Sequence, residues 1–171
     1  LALVAAFVTG AMVATLLIDT GRQRRLRGIY AYSILTEAVL LAALACAEPW
    51  LPVAARGSVL ALSLSFLLGL QNATVTQITN ARVRTTHVTG MVTDIGIGLA
   101  NLLRGRAALD RGKLRLHIIT VAAFLVGGVV GVTGYRTMGN PLLFVVAALL
   151  ALLALPGIRS GRRLEPAHKT P

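Results

Sequence analysis

The sequence is short of charge and of aromatic residues, and it contains a single cysteine. Charged residues make up 13% of its 171 positions, whereas a typical soluble domain carries about 25%. This deficit argues against an ordinary soluble enzyme, and a disordered chain would need the opposite composition. Aromatic residues make up only 5%, too few to build a stacking surface for nucleic-acid bases. Because Cys46 stands alone, an intrachain disulfide and a cysteine metal site are both excluded.

Long apolar blocks take the place of the missing polar residues. Hydrophobic residues make up 56% of the chain, and several blocks approach the roughly 20 residues that cross a bilayer as a helix. The blocks cover 1–18, 29–47, 58–70, 88–103, 116–135 and 141–155. The sequence therefore predicts an all-α polytopic bundle of about 5–6 membrane segments. Residues 1–157 form its transmembrane domain, and 158–171 form a basic cytoplasmic tail.

The positive charge is concentrated between the apolar blocks. The formal net charge is +11, and 13 of the 17 Lys and Arg residues lie within 22–27, 104–115 and 159–169. This distribution follows the positive-inside rule, so we predict that these three stretches face the cytoplasm. The basic-poor turns at 48–57 and 136–140 are then outside. The bilayer, rather than nucleic acid, is the partner that this pattern indicates.

This orientation places a constraint on the middle of the chain. If residue 57 is outside and residue 104 is inside, the chain between them crosses the membrane an odd number of times. Yet that stretch holds two apolar pieces, 58–70 and 88–103. Either the charge rule fails here, or one piece is a broken or re-entrant segment around 71–90. Irregular backbone at membrane depth needs protein or a water-filled cavity around it, so we expect a functional cavity in this region.

The polar residues of the central block are the predicted substrate or ion pathway. They are Gln71, Asn72, Thr86, Thr89 and Asp94. Asp94 shares a helix face with Gly90 and Gly98, and an acid inside a membrane is costly enough to suggest a function. The five side chains are expected to face one shared cavity. The alternative is plain helix packing, with Asp94 paired to Arg82 or Arg84.

A second acid, Glu37, lies inside an apolar block. Ser33 precedes it by four residues and shares its helix face. Apolar surroundings disfavour a charged carboxylate, so Glu37 is a possible proton carrier. The alternative is a carboxyl group that packs against hydroxyl groups of another helix.

The sequence offers no set of residues for catalysis, cofactor binding or metal binding. His87 has no second His or Cys nearby, so no metal site is predicted. No glycine-flanked serine elbow, phosphate loop or dinucleotide fingerprint is present. We therefore predict no enzyme activity and no cofactor.

The central block also carries a resemblance to a known family. Residues 69–73 read Gly-Leu-Gln-Asn-Ala, and residues 85–94 read Thr-Thr-His-Val-Thr-Gly-Met-Val-Thr-Asp. These motifs resemble the YoaK family of uncharacterised bacterial multi-pass membrane proteins. The resemblance implies an inner-membrane protein, in the manner of a permease, without catalytic residues. That family usually begins with a further segment, so the chain is expected to lack its natural N-terminus.

A short internal repeat links two of the apolar blocks. The stretch from Val4 to Gly10 matches the stretch from Val121 to Gly127 at five of seven positions. The charge-based topology runs the two blocks in opposite directions, which predicts an inverted repeat of the kind found in transporters. Glycine faces also let helices approach closely, so an oligomer built through these faces is possible.

Two functions are compatible with these observations. The first is a transporter or permease for a small polar solute or ion in the bacterial cytoplasmic membrane. The alternative is a non-transporting membrane scaffold or accessory protein. A wet cavity lined by the polar residues favours transport, whereas dry packing of the same residues favours the scaffold.

Overall fold

A computed structural model describes residues 1–26, 28–79, 88–105 and 111–163, with side chains up to Arg159. Regular structure in these ranges is helical throughout. The helices are α1 (Ala2–Gln23), α2 (Ile29–Ala47), α3 (Val53–Ile78), α4 (Val88–Leu103), α5 (Arg111–Met138) and α6 (Pro141–Arg163), with a 3₁₀ turn (Glu48–Trp50) after α2. Among the described residues, five helices are long and apolar enough to cross a membrane, and α4 is shorter. The predicted all-α polytopic bundle is confirmed.

Helix α3 is longer than the apolar block that predicted it. The block ends at residue 70, but α3 continues to Ile78. The hydroxyl groups of Thr74 and Thr79 donate to the carbonyls four residues earlier, at 2.9 Å and 2.8 Å, so these polar side chains are satisfied within the helix. The predicted interruption around 71–90 therefore does not fall within 71–78. Residues 80–87, where a break would remain, lie outside the described residues.

Helices α4 and α6 also refine the predicted boundaries. The 16 residues of α4 form about 24 Å of helix, less than the roughly 30 Å of a hydrocarbon core. Helix α6 passes through Pro156 and continues to Arg163. The first part of the predicted tail 158–171 is thus helical, and residues 164–171 lie outside the described residues.

Helices α1 and α3 form a parallel pair at very close distance. A Cβ added to Gly10 would overlap the Phe66 carbonyl, and one added to Gly69 would overlap the Phe7 carbonyl. Ser65 Oγ also donates to the Leu3 carbonyl at 2.8 Å. Leu3 pairs with Ser65, and four residues later in both helices Phe7 pairs with Gly69, so α1 and α3 are parallel. Each glycine admits the backbone of the other helix, as small residues do in membrane bundles.

Helix α2 is antiparallel to both α3 and α6. Ser33 near its start bonds Thr74 near the end of α3, while Ala45 near its end accepts a 2.8 Å bond from Asn140 before α6. Gly28, with a φ of +77°, faces the Gly157 carbonyl. The basic residues after α1 and Arg159 on α6 therefore lie at the same end of the bundle, here called the basic end. The opposite end, with Glu48 and Asn140, is called the turn end.

The core of the bundle lies between α2 and α6. Leu41, Leu44 and Ala45 of α2 pack against Leu143 and Ala147 of α6. Helix α2 is the most buried of the five long helices. Most other large apolar side chains point outwards, which suits a protein whose surface faces lipid rather than water.

Candidate functional site

Three buried polar side chains of the spanning helices gather where α2 meets α3. Ser33 and Glu37 of α2 are 0% and 3% exposed, and Thr74 of α3 is 1% exposed. The prediction that Ser33 and Glu37 share a helix face is confirmed, because both point towards α3. A carboxyl group is thus enclosed with two hydroxyl groups inside the bundle.

The two hydroxyl groups are occupied with each other and with the backbone. Ser33 Oγ and Thr74 Oγ1 are 2.7 Å apart, and Thr74 donates to the Leu70 carbonyl at 2.9 Å. A hydroxyl group has one proton to donate, so Ser33 donates to Thr74. Thr74 also lies within hydrogen-bonding reach of the Glu37 carboxyl group, which competes with the Leu70 carbonyl for its single proton. Glu37 Oε1 is buried and has no hydrogen-bond partner among the described residues.

Glu37 and Gln71 line the same cavity between α2, α3 and α6, here called the Glu37 cavity. Its volume is about 130 Å³. The remaining lining is apolar and consists of Leu41, Leu64, Leu67, Leu68, Val146 and Leu150. Glu37 lies about 12 Å along α2 from the basic end, and Gln71 lies about 10 Å along α3 from the same end. The two polar groups are therefore at similar depth.

The charge of Glu37 has no balancing charge among the described side chains. No described Lys, Arg or His forms an ion pair with it, whereas the described ion pairs involve Asp19 and Asp94. An isolated carboxylate in an apolar interior costs many kcal/mol. The carboxyl group must therefore be neutralised by a proton or by a bound cation, and this gives the cavity its chemistry.

A second polar cluster joins α4 to α5. Asp94 Oδ2 lies 3.5 Å from Lys113 Nζ and 3.6 Å from His117 Nδ1. The three residues share a cavity of about 130 Å³ with Gly98 and Asn101. The Asp94 side chain is 44% exposed, so it is paired and accessible, unlike Glu37.

The predicted pathway residues are thus divided between two cavities. Gln71 lines the Glu37 cavity, whereas Asp94 lines the cavity beside His117. Asn72 is half-buried on α3 and Thr89 is exposed on α4, while Thr86 lies outside the described residues. The expected single shared cavity is not what the described structure contains. The assignment of these residues to a pathway stays a prediction.

Sequence reasoning missed the partners of Asp94. Arg82 and Arg84, the predicted alternatives, lie outside the described residues, and the partners that the structure provides are Lys113 and His117. These two are four residues apart and share a face at the start of α5. This spacing showed that Lys113 and His117 share a face of α5. It did not show that the face contacts Asp94, because that contact depends on the antiparallel pairing of α4 with α5.

The turn end holds a third polar cluster with a structural role. Tyr135 donates to Glu48 Oε1 at 2.8 Å, and Asn140 donates to the Ala45 carbonyl. These bonds fix the α5–α6 turn on the end of α2. Three further polar atoms are buried there and have no hydrogen-bond partner in the described part of the chain, namely Glu48 Oε2, Arg56 Nε and Asn140 Oδ1. Ordered water is the expected partner of these groups. Among the described residues, no group of three or more His, Cys, Asp and Glu could hold a metal ion.

We predict that Thr74→Val destabilises the bundle, by about 1 kcal/mol. Valine keeps the shape of threonine but leaves the buried Ser33 hydroxyl without its partner. The matched control is Thr93→Val, because the exposed Thr93 bonds only the Thr89 carbonyl of its own helix. Thermal unfolding in detergent should separate the two variants. Equal unfolding temperatures would show that the Ser33–Thr74 bond contributes nothing.

Comparisons with known proteins place the chain in a family. No curated protein and no solved structure matches it. Residues 1–155 match the family described as "Protein of unknown function (DUF1275)", which is consistent with the resemblance to uncharacterised membrane proteins. The match covers all five long apolar helices up to residue 155 and includes both the Glu37 and the Asp94 cavities. This chain therefore belongs to the DUF1275 family.

Proposed function

We propose that this protein is a transporter of a small polar or cationic solute in the bacterial cytoplasmic membrane. The observation that carries the proposal is Glu37, a buried acid with one unpartnered oxygen that lines a cavity inside a bundle of apolar helices. Acids at such positions are costly and commonly mark proton and ion pathways. Gln71 on the same cavity adds a neutral hydrogen-bonding group for a solute.

The proposed orientation has the basic end in the cytoplasm. The structure supports this by bringing the basic residues after α1 and those near the end of α6 to one end, where the positive-inside rule expects them. The Glu37 cavity is then closer to the cytoplasmic surface than to the outer one.

Cysteine labelling tests this orientation in intact cells. Starting from Cys46→Ser, which removes the exposed native thiol, we expect Gln23→Cys, Leu109→Cys and Ser160→Cys to resist membrane-impermeant thiol reagents. Met138→Cys at the turn end should react. Labelling at position 109 from outside would contradict the topology and would indicate two complete crossings within 58–103.

Vesicles containing the purified full chain test transport itself. Internal pH is followed while Na⁺, K⁺, amino acids, sugars or small organic cations are added to vesicles with and without a pH gradient. We expect at least one of these solutes to produce a flux that responds to the gradient and is absent from protein-free vesicles. No protein-dependent flux with any solute would contradict the proposal.

One feature favours the alternative of a scaffold or accessory protein. Helices α4 and α5 carry many exposed apolar side chains, among them Val92, Ile97, Ile119, Phe124 and Val129. Lipid covers apolar side chains equally well, but Gly127, Gly128 and Gly131 of α5 also have no described atom within 4 Å of an added Cβ. Small residues of this kind let another membrane helix approach closely. If the vesicle assay gives no flux, co-purification of a second membrane protein through α4 and α5 would support this alternative.

A further inference from the structure

We propose that the Glu37 cavity binds either one proton or one small alkylated organic cation, such as an alkylguanidinium, and exchanges one for the other. This inference rests on the proposed transport function and specifies its substrate class. It follows from the charge of the cavity, the groups that line it and its size.

No described side chain around Glu37 balances its charge. The groups that face Glu37 are Ser33 on its own helix, Gln71 and Thr74 on α3, and the apolar Val146 and Leu150 on α6. None of them titrates near neutral pH or carries a charge. The cavity therefore holds one negative charge when the carboxyl group is ionised, and one positive charge restores neutrality.

The proton and the cation exclude each other at the Glu37 carboxyl group. A cation beside a protonated carboxyl would leave a net charge in an apolar interior, which is unfavourable. When the cation binds, the carboxyl O–H bond breaks, the proton passes to water, and the ionised carboxylate pairs with the cation. One proton is released for each cation bound, so charge balances on both sides of the exchange.

The polar groups of the Glu37 cavity suit a guanidinium group better than an inorganic cation. Hard inorganic cations need several oxygen ligands, or a ring of carbonyls that replaces their water. The side chains that line the Glu37 cavity supply only the carboxyl group and the Gln71 amide as polar groups, and the other lining side chains are leucine and valine. A guanidinium group instead pairs with a carboxylate through two parallel N–H bonds. It has further N–H groups for Gln71, and an alkyl substituent suits the surrounding leucines.

The size of the Glu37 cavity limits the charged group that it can hold. The cavity of about 130 Å³ is smaller than the roughly 300–1,000 Å³ of sites for drug-sized ligands. It holds a charged group of a few non-hydrogen atoms. Leu68 and Val146 in its lining are 50% and 38% exposed, so the cavity opens there to the outside of the bundle and an alkyl substituent can extend out of it.

Methylguanidinium is the probe that tests this directly. Its charge is permanent at physiological pH, as that of arginine is, so it does not leak through bilayers as a neutral base. Methylguanidinium is added to the purified full chain in detergent with a weak buffer and a pH indicator. We expect about one proton to be released per cation bound. Once the site is mostly protonated, the apparent Kd should increase about tenfold for each unit of pH decrease.

Two variants make the result specific to Glu37. Glu37→Gln should lose both binding and proton release, whereas Asp19→Asn should behave like the wild type. Asp19 is a half-exposed acid at the basic end that lies 3.9 Å from Arg22, so it controls for the loss of one negative charge. A thermal unfolding profile confirms that Glu37→Gln is folded.

Several outcomes would overturn the inference. These are binding without proton release, unchanged binding by Glu37→Gln, or equal competition by Na⁺ at the same concentration. If vesicles show Glu37-dependent flux of another solute while methylguanidinium fails to bind, the transport proposal stands and this inference fails. If methylguanidinium displaces a proton but no vesicle flux occurs, the cation site stands and the transport proposal fails.

Discussion

Gly10→Ala is expected to destabilise the bundle by about 3 kcal/mol, although it adds a single methyl group. The added Cβ would overlap the Phe66 carbonyl and come close to the Leu70 backbone, and neither can move without shifting α3. The reciprocal contact, Gly69 against the Phe7 backbone, would separate at the same time. Chemical or thermal unfolding of the purified protein in detergent measures the loss.

The internal repeat supplies a matched control for this prediction. Gly127 occupies the position in α5 that Gly10 occupies in α1, but nothing lies within 4 Å of a Cβ added there. Alanine favours a helix over glycine by up to about 1 kcal/mol, so Gly127→Ala should be neutral or stabilising. Equal destabilisation by the two variants would show that the α1–α3 contact is not close packed.

The sequence predicted most of the fold because the bilayer limits what an apolar block can do. Helix α2 occupies 29–47, the bounds that its apolar block predicted, because Gly28 and the Pro49 region interrupt the block on both sides. The charge pattern likewise predicts that the basic stretches after α1 and from Arg159 onwards share one end, and the contact between Gly28 and Gly157 brings the described parts of both stretches together. Both predictions use local properties of the chain.

The parts that the sequence did not predict depend on pairing between helices. Helix α3 extends to Ile78 through polar residues that the sequence suggested would end it. Thr74 and Thr79 donate their hydroxyl protons to carbonyls of α3, so these side chains are accommodated without a break in the helix. Asp94 meets Lys113 and His117 because α4 and α5 are antiparallel. Composition and spacing within one segment do not show which helices become neighbours, so Gln71 and Asp94 were assigned to one cavity although they line two.

Glu37 illustrates the difference between finding a residue and finding its surroundings. An acid inside an apolar block was evident from the sequence, and its shared face with Ser33 followed from helical spacing. Its lack of a charged partner and its shared cavity with Gln71 became visible only when α2, α3 and α6 were placed together.

The second large effect is expected for Glu37→Gln, which should abolish gradient-driven transport while leaving the fold intact. Glutamine has nearly the same shape as glutamate but cannot take up and release the proton. Because glutamine is neutral inside the bundle without taking up a proton or a cation, the unfolding temperature should stay the same or increase. Glu37→Asp, which keeps the carboxyl group but shortens the side chain, should retain coupled transport at a lower rate.

The most direct test of a proton-exchange site at Glu37 is internal pH measured in vesicles that contain equal amounts of wild type, Glu37→Gln or Asp19→Asn. The vesicles have an acidic interior, and a solute that the wild type carries is added outside. We expect rapid internal alkalinisation with wild type and with Asp19→Asn. Glu37→Gln should match protein-free vesicles. Alkalinisation by Glu37→Gln at the wild-type rate would contradict a proton-exchange site at Glu37, because a proton would then cross without the one described acid that lines the Glu37 cavity.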